Sequence, residues 1–306
     1  MSDRLQRFVF EQARVRGELV RLDESWREVR RRREYPEPLR AVLGELTAAS
    51  VLLAATVKFQ GGALVLQVQG GRPVDLLVVE CQADLSLRAM ARWDGPMPAV
   101  GPERALHDLA AGGRCAITID PGPKHAAYQG VVPLEGRTTA RVLERYMARS
   151  EQIETLFALA ASDERAAGLL LQRMPLSGAG NLGERDEERI GRDEDFNRIA
   201  LLGGSVTRDE LLGLDIETLL RRLFWQENLR RFAPRDARFR CACSRERVSA
   251  MLFGLGRAEM DDILAERGEV EVGCDFCGLQ YRYDPVDIGE LFTPSSDQQR
   301  GPSTLQ

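Results

Sequence analysis

Cys241-Ala242-Cys243 and Cys274-Asp275-Phe276-Cys277 are the residues whose type and spacing point most directly to chemistry. Thirty residues separate the two pairs, enough folded chain to bring four sulfurs to one point. Four thiolates in two close pairs match a closed tetrahedral zinc site, each turn supplying two ligands. A catalytic zinc keeps one position open and more often uses imidazole or carboxylate. The chain has two histidines, His107 and His125, and neither lies in this segment. The metal is therefore expected to be structural or redox-linked, with Cys241, Cys243, Cys274 and Cys277 as its ligands.

The spacing also carries redox consequences. A disulfide across Cys-x-Cys closes a small strained ring, and strained disulfides tend to be labile and regulatory. Thiolates held at neutral pH are standing nucleophiles toward peroxide or hypochlorite. A module of this size has marginal stability alone. Structural zinc contributes about 10–16 kcal/mol in finger peptides, against about 5–15 kcal/mol for a whole domain. Losing the metal is thus expected to unfold the module. Arg238–Phe292 holds seven arginines, no lysine and eleven acids, so nucleic acid is expected to be repelled. The whole chain, with 42 basic and 47 acidic residues, leans the same way.

The surrounding elements must position this segment. Ser244 can cap a helix bearing Val248, Met251, Leu252 and Leu255. A shorter helix carries Met260, Ile263 and Leu264. Glu269–Val272 reads as a strand into the second pair, and Tyr281 and Tyr283 alternate on a return strand. Upstream, the fold class reads as α+β. A strand or hairpin at 8–22, broken at Gly17, precedes a charged helix at 23–34 and a buried helix opened by Pro38. Strands follow at Leu64–Gln69, Val74–Glu80, Cys115–Ile119 and Tyr128–Val132. A helix from Thr139 and a second over Ile153, Leu156 and Phe157 come next, then a strand at Gly168–Met174.

These elements divide the chain into an N-terminal sheet-and-helix core domain over 1–183, a helical linker over 184–238, a small C-terminal four-cysteine zinc domain over 239–292 and a disordered tail over 293–306. Glu184–Arg198 carries so few apolar residues that it cannot bury a core alone. Thr207-Arg208-Asp209-Glu210 fits a capping box, and Ile216, Leu219, Leu220, Leu223 and Phe224 make one apolar helical stripe. That stripe needs a surface to cover. The candidate is a face of the N-terminal sheet near Leu64, Leu66 and Val68.

Several other features reduce to structure. Cys81 and Cys115, in or beside strands, read as buried inert thiols. Gly178–Gly183 matches a dinucleotide fingerprint only formally, since no βαβ unit follows. Ser150 and Glu151 read as a helix cap, Lys58 as a snorkelling side chain, and Arg30–Arg33 as a solvated face among glutamates. No signal peptide is visible. The longest near-apolar run, Ala48–Val57, is half of a membrane span, so the chain reads as soluble and intracellular, with no membrane partner.

The sequence resembles the heat-shock protein 33 family of redox-regulated holdase chaperones along nearly its whole length. The resemblance rests on Tyr146-Met147-Ala148-Arg149-Ser150-Glu151-Gln152, Tyr128-Gln129-Gly130-Val131-Val132, Val57-Lys58-Phe59 with Leu66–Gly70, and Cys241–Arg247 with Cys274–Gly278. It implies one zinc ion on the four cysteines of a reduced, inactive protein. It further implies oxidation to disulfides Cys241–Cys243 and Cys274–Cys277, zinc loss, and unfolding of the C-terminal module and linker. The active form implied is a cytoplasmic homodimer that holds unfolding clients without ATP, is not an enzyme, and passes clients to ATP-dependent foldases. Low lysine content, only Lys58 and Lys124, departs from expectation. From the residues alone, two other readings stay open: a constitutive structural-zinc interaction module, and a thiol-disulfide oxidoreductase using Cys274 and Cys277.

Overall fold

The structure is a computed structural model that describes residues 3–59, 61–101, 105–122, 125–174 and 186–293. The chain divides into two compact units, Met1–Arg240 and Cys241–Gln306. The Gly178–Gly183 motif, Lys124 and the tail beyond Thr293 lie outside the described residues.

Unit 1 opens with a hairpin of β1 (Arg4–Phe10) and β2 (Val15–Leu22). Gly17 does not break it. It sits inside β2 opposite Phe8, where an added Cβ would lie 2.2 Å from the Phe8 ring, so glycine makes the room for that ring. Helix α1 (Glu24–Arg32) begins under Asp3, whose carboxylate accepts from the N–H groups of Asp23, Glu24 and Ser25 at 2.6–2.8 Å. This satisfies three donors that a helix start leaves open.

Helix α2 (Glu37–Thr56) follows Pro36 and is the centre of the unit. Its 20 residues could cross a membrane by length and composition, but 83% of its most apolar window is buried among other elements. It touches β2, β8 and β9 on one side and β3, β4 and β5 on the other, the position of a core helix between two sheets. Leu39, Leu43, Leu46 and Leu52 are fully covered there.

The second sheet grows from β3 (Ala63–Gln69), β4 (Val74–Gln82) and β5 (Ser86–Trp93). Helix α3 (Ala105–Leu109), β6 (Arg114–Asp120) and β7 (Tyr128–Pro133) follow, then α4 (Thr139–Tyr146) under a Thr138 cap. A π-helical turn over Met147–Glu151 ends at Gln152, which has φ 56°. The helix expected over Ile153, Leu156 and Phe157 is instead β8 (Thr155–Ala161), and Ser150–Glu151 closes a helix rather than capping one. The left-handed Gln152 stops helical propagation, and alternation then sends Leu156 and Phe157 to opposite faces of a sheet. Strand β9 (Ala166–Arg173) completes that sheet.

The stretch expected to be a linker is helical: α5 (Asp186–Gly204), α6 (Arg208–Gly213) and α7 (Ile216–Phe224). The Thr207–Glu210 capping box forms, and Asp215 caps α7 by accepting from the Thr218 N–H at 2.9 Å. Short strands β10 (Leu229–Arg231), β11 (Arg235–Asp236) and β12 (Arg238–Phe239) close the unit. One sheet runs β10-β1-β2-β9-β8, with β11 also on β1. The other runs β12-β5-β4-β3-β6-β7.

Unit 2 contains α8 (Arg245–Leu255), α9 (Arg257–Arg267), the ribbon of β13 (Val270–Gly273) and β14 (Gln280–Tyr283), and α10 (Pro285–Leu291). Its buried apolar residues, among those described, are Leu252, Met260, Val270, Tyr281, Tyr283 and Ile288.

Candidate metal centre

Cys241 and Cys243 lie just ahead of α8. The Ser244 hydroxyl accepts from the Arg247 N–H at 3.3 Å, and the Arg247 guanidinium donates to the Ala242 carbonyl at 2.8 Å. The helix start therefore fixes the first pair. Cys274 and Cys277 occupy the turn of the β13–β14 ribbon. The Cys274 N–H donates to the Leu279 carbonyl at 3.0 Å, and the Gly278 N–H to the Cys274 carbonyl at 2.8 Å. Gly278 has φ 70°, a left-handed position that side chains resist.

The four sulfurs all lie within 4.8 Å of one another. The closest contacts join the two turns: Cys241 to Cys274 at 3.6 Å and Cys243 to Cys277 at 3.3 Å. A tetrahedral zinc with bonds of about 2.3 Å separates its sulfurs by about 3.8 Å, whereas a disulfide requires about 2.05 Å. All six cysteines are free thiols, so the cluster has the spacing of a ligand set. Burial, then the neighbouring sulfurs, push the Cys277 thiol well above the ordinary range. Packed thiols resist ionisation unless a cation compensates, and a soft divalent ion with thiolate ligands reverses that penalty. The residues fit zinc. Cys277 is buried, while Cys241, Cys243 and Cys274 keep partial exposure through which an oxidant can approach.

A layer around the cysteines was not readable from the sequence. The Tyr283 hydroxyl donates to the Arg245 carbonyl at 3.0 Å and lies 3.1 Å from the Ser249 hydroxyl. The Arg245 guanidinium sits 4.2 Å from the Tyr283 ring centre, donates to the Arg282 carbonyl at 2.9 Å and pairs with Asp287 at 2.8 Å. Arg245 thus joins the first cysteine turn, the ribbon and α10. These partners are distant in sequence and follow no periodic pattern.

Cys81 and Cys115 belong to unit 1, on the covered face of the second sheet, where burial pushes each thiol up to about 12. His107 pairs with Asp108 at 2.8 Å on α3, and His125 and Lys58 are exposed.

The apolar stripe packs elsewhere than the sequence suggests. Leu219, Leu220, Leu223 and Phe224 are buried, with Ile216 beside them, against Phe8, Phe10, Leu19, Leu169 and Leu171 of the first sheet. The Phe224 ring meets that of Phe10 edge-on at 5.1 Å. Leu64, Leu66 and Val68 are on the second sheet and face the core around α2. The structure does not bring them to the stripe, because α2 already covers their face. The first sheet is the one with an apolar outer face left over.

Comparison with known proteins agrees across the chain. The profile of the family described as Hsp33 protein matches residues 3–284. The 33 kDa chaperonin of Methylobacillus flagellatus is 45% identical over 293 residues, covering 96% of this chain and 95% of that protein. That of Chromobacterium violaceum is 46% identical over 291 residues, covering 95% and 94%. The crystal structure of the 33 kDa chaperonin of Thermotoga maritima, a heat shock protein 33 homologue, superposes with TM-score 0.78 at 21% identity. It covers 94% of this chain and 97% of that one, a likeness of fold.

Proposed function

The chain belongs to the Hsp33 family, and from that premise we propose that it is a redox-regulated, ATP-independent holdase chaperone, zinc-bound and inactive when reduced. The observation that carries the reading is the cluster of four sulfurs within 4.8 Å, in a chain whose relatives are named chaperonins. Cys241, Cys243, Cys274 and Cys277 are the residues that would hold zinc. Bound there, the ion would supply positive charge that keeps the four sulfurs ionised and ties the two turns together.

The sulfurs do the switching. Cys241 and Cys243 give up two electrons to form one disulfide, and Cys274 and Cys277 give up two more to form the other. The oxidant is hypochlorite, reduced to chloride and water, or peroxide, reduced to water. Four thiolate ligands are consumed, so the ion is no longer held. A core of Leu252, Met260, Val270, Tyr281, Tyr283 and Ile288 has little to hold unit 2 folded without it.

In this reading residues 184–238 act as a conditional linker between a core domain at 1–183 and a switch domain at 239–292. Release of α5, α6 and α7 bares Phe8, Phe10, Leu19 and their neighbours to unfolding clients. The oxidised form is a homodimer in the cytoplasm that hands clients to ATP-dependent foldases. No catalytic residue, nucleic acid or membrane enters the scheme.

The test is zinc release under hypochlorite, read alongside suppression of client aggregation. About one zinc per chain should leave as holdase activity appears. Equal activity in the reduced zinc form, or retention of zinc with one stoichiometric partner, would replace this reading with a constitutive zinc interaction module. Turnover of a small dithiol would mark an oxidoreductase.

A further inference from the structure

The segment after α7 is stitched to both sheets of unit 1. Leu229, Arg230 and Arg231 pair antiparallel with Phe10, Val9 and Phe8. The Phe232 N–H donates to the Arg7 carbonyl at 3.0 Å, and the Gln6 side chain donates to the Phe232 carbonyl at 2.7 Å. Arg235 and Asp236 then pair with Leu5 and Arg4, so the whole length of β1 is covered. Beyond that, Arg238 and Phe239 run parallel to Ser86 and Leu87 on β5, and the Arg240 N–H donates to the Leu87 carbonyl at 2.9 Å. Arg240 is the residue immediately before Cys241.

This strap is short and interrupted. Pro234 splits it, and no strand of it exceeds three residues. Its charge is wrong for its seat. Three arginines, Arg230, Arg231 and Arg235, and one aspartate pair with a strand that contributes Arg4 and Arg7 and no acid, while Arg238 lies beside β5 and pairs with Asp84. The Arg7 and Arg230 guanidiniums both lie over the Phe232 ring, at 5.7 and 5.5 Å from its centre. In the register Arg231, Arg230 and Arg235 stand opposite the apolar Phe8, Val9 and Leu5, and only Asp236 opposite Arg4 is charge-matched among these pairs, so the strap adds positive charge beside Arg4 and Arg7 with little cross-strand pairing. Nearby acids offset this only in part: buried Glu18 lies 3.5 Å from Arg7, and Glu217 lies 3.9 Å from Arg231.

We infer that the outer edge of β1 is a docking edge for an extended segment of another polypeptide, and that residues 229–239 occupy it as an internal mimic until displaced. The occupant is an unfolded segment that adds as a strand, with an apolar residue where Leu229 sits and acids at the arginine positions that flank the partners of Arg4 and Arg7. An edge strand left bare presents a row of unpaired N–H and C=O groups that an incoming backbone satisfies. The inference rests on the proposed switch only for how the strap is released in the cell. It adds backbone pairing on one named strand to burial on the apolar face.

The test uses reduced, full-length Arg231→Pro, which disrupts strap pairing without touching a cysteine. The probe is a labelled synthetic peptide with the sequence of residues 229–239, its arginines replaced by glutamate. Amide exchange in residues 4–10 should rise about tenfold in the variant, and the peptide should bind about tenfold more tightly than to the unsubstituted protein. Bound peptide should slow exchange in 4–10 again. The basic strap peptide should bind more weakly than the acidic one. Unchanged exchange in 4–10, or peptide bound without protecting 4–10, overturns the inference, as does protection appearing on the edge strand β7 instead. An oxidised protein that fails to hold clients, while the variant still captures the peptide on β1, counts against the redox switch and not against the edge.

Discussion

Unit 1 completely buries Trp26, Leu39, Leu43, Leu46 and Leu52 around a helix that touches two sheets, whereas unit 2 has six buried apolar residues among those described, beside four packed thiols. The same side chain behaves oppositely in the two settings. Cys81 and Cys115 in unit 1 are isolated in apolar surroundings, which disfavour the thiolate and make them inert. The thiols of unit 2 lie together at ligand spacing, where a cation converts mutual repulsion into cohesion. On the proposed reading, the difference teaches that a fold can be made conditional locally, by moving stability from apolar burial to a ligand that oxidation would remove.

The largest effect should come from taking the ligand away. Cys277→Ser, or a strong chelator, should unfold unit 2 and forfeit most of the metal's contribution, about 10 kcal/mol or more. Unit 1 should keep its tertiary signals, read residue by residue by amide exchange. Loss of both units together would break the comparison. Next, Leu43→Ala, at a fully covered site, should lower the urea stability of unit 1 by about 2–5 kcal/mol and leave the thiol cluster's metal content unchanged.

A third effect separates unit 1 by pH. Glu45 on α2 is buried, accepts from the Thr139 hydroxyl at 2.6 Å, and is pushed up to about 7, first by burial. The folded state thus holds a proton that the unfolded chain releases near its ordinary 4.5. Stability from this group is complete below about pH 4.5 and is lost as pH rises through about 7, by about 3 kcal/mol in all. Glu45→Gln should flatten that decline in urea melts at pH 5 and pH 8, and an unchanged slope would place the titration elsewhere. The smallest effect sharpens unit 2: Tyr283→Phe removes a hydroxyl that donates to Arg245 and should cost about 1 kcal/mol, seen as faster exchange in β14.

What was legible in the sequence follows from locality. The Cys-x-Cys and Cys-x-x-Cys turns, the Ser244 and Thr207 caps and the α7 stripe are set by neighbours a few positions away, and each stands as its residues suggest. The partner of the stripe was not legible. Choosing between the face of Leu64, Leu66 and Val68 and that of Phe8 and Phe10 requires knowing that α2 lies between the sheets. Strands β5 and β8 do not stand out in the sequence because Ser86–Trp93 carries two arginines and no clean apolar alternation, and because Ile153, Leu156 and Phe157 fit helical spacing. The strap strands are two or three residues long and rich in arginine, and pairing alone defines them. The contact between Arg245 and Tyr283 was hidden for the same reason, since the two meet only through the ribbon.

The register of the strap has a consequence for how the protein is made. Arg4 pairs with Asp236 and Phe10 with Leu229, so β1, once synthesised, waits for nearly the last residues of its unit. At about 5–20 residues per second, β1 spends about 10–45 seconds with one edge open during synthesis. Contacts of such long sequence separation also close slowly after release. The newborn chain therefore passes through a state with that edge uncovered, and it leaves that state only as the residues just before Cys241 emerge.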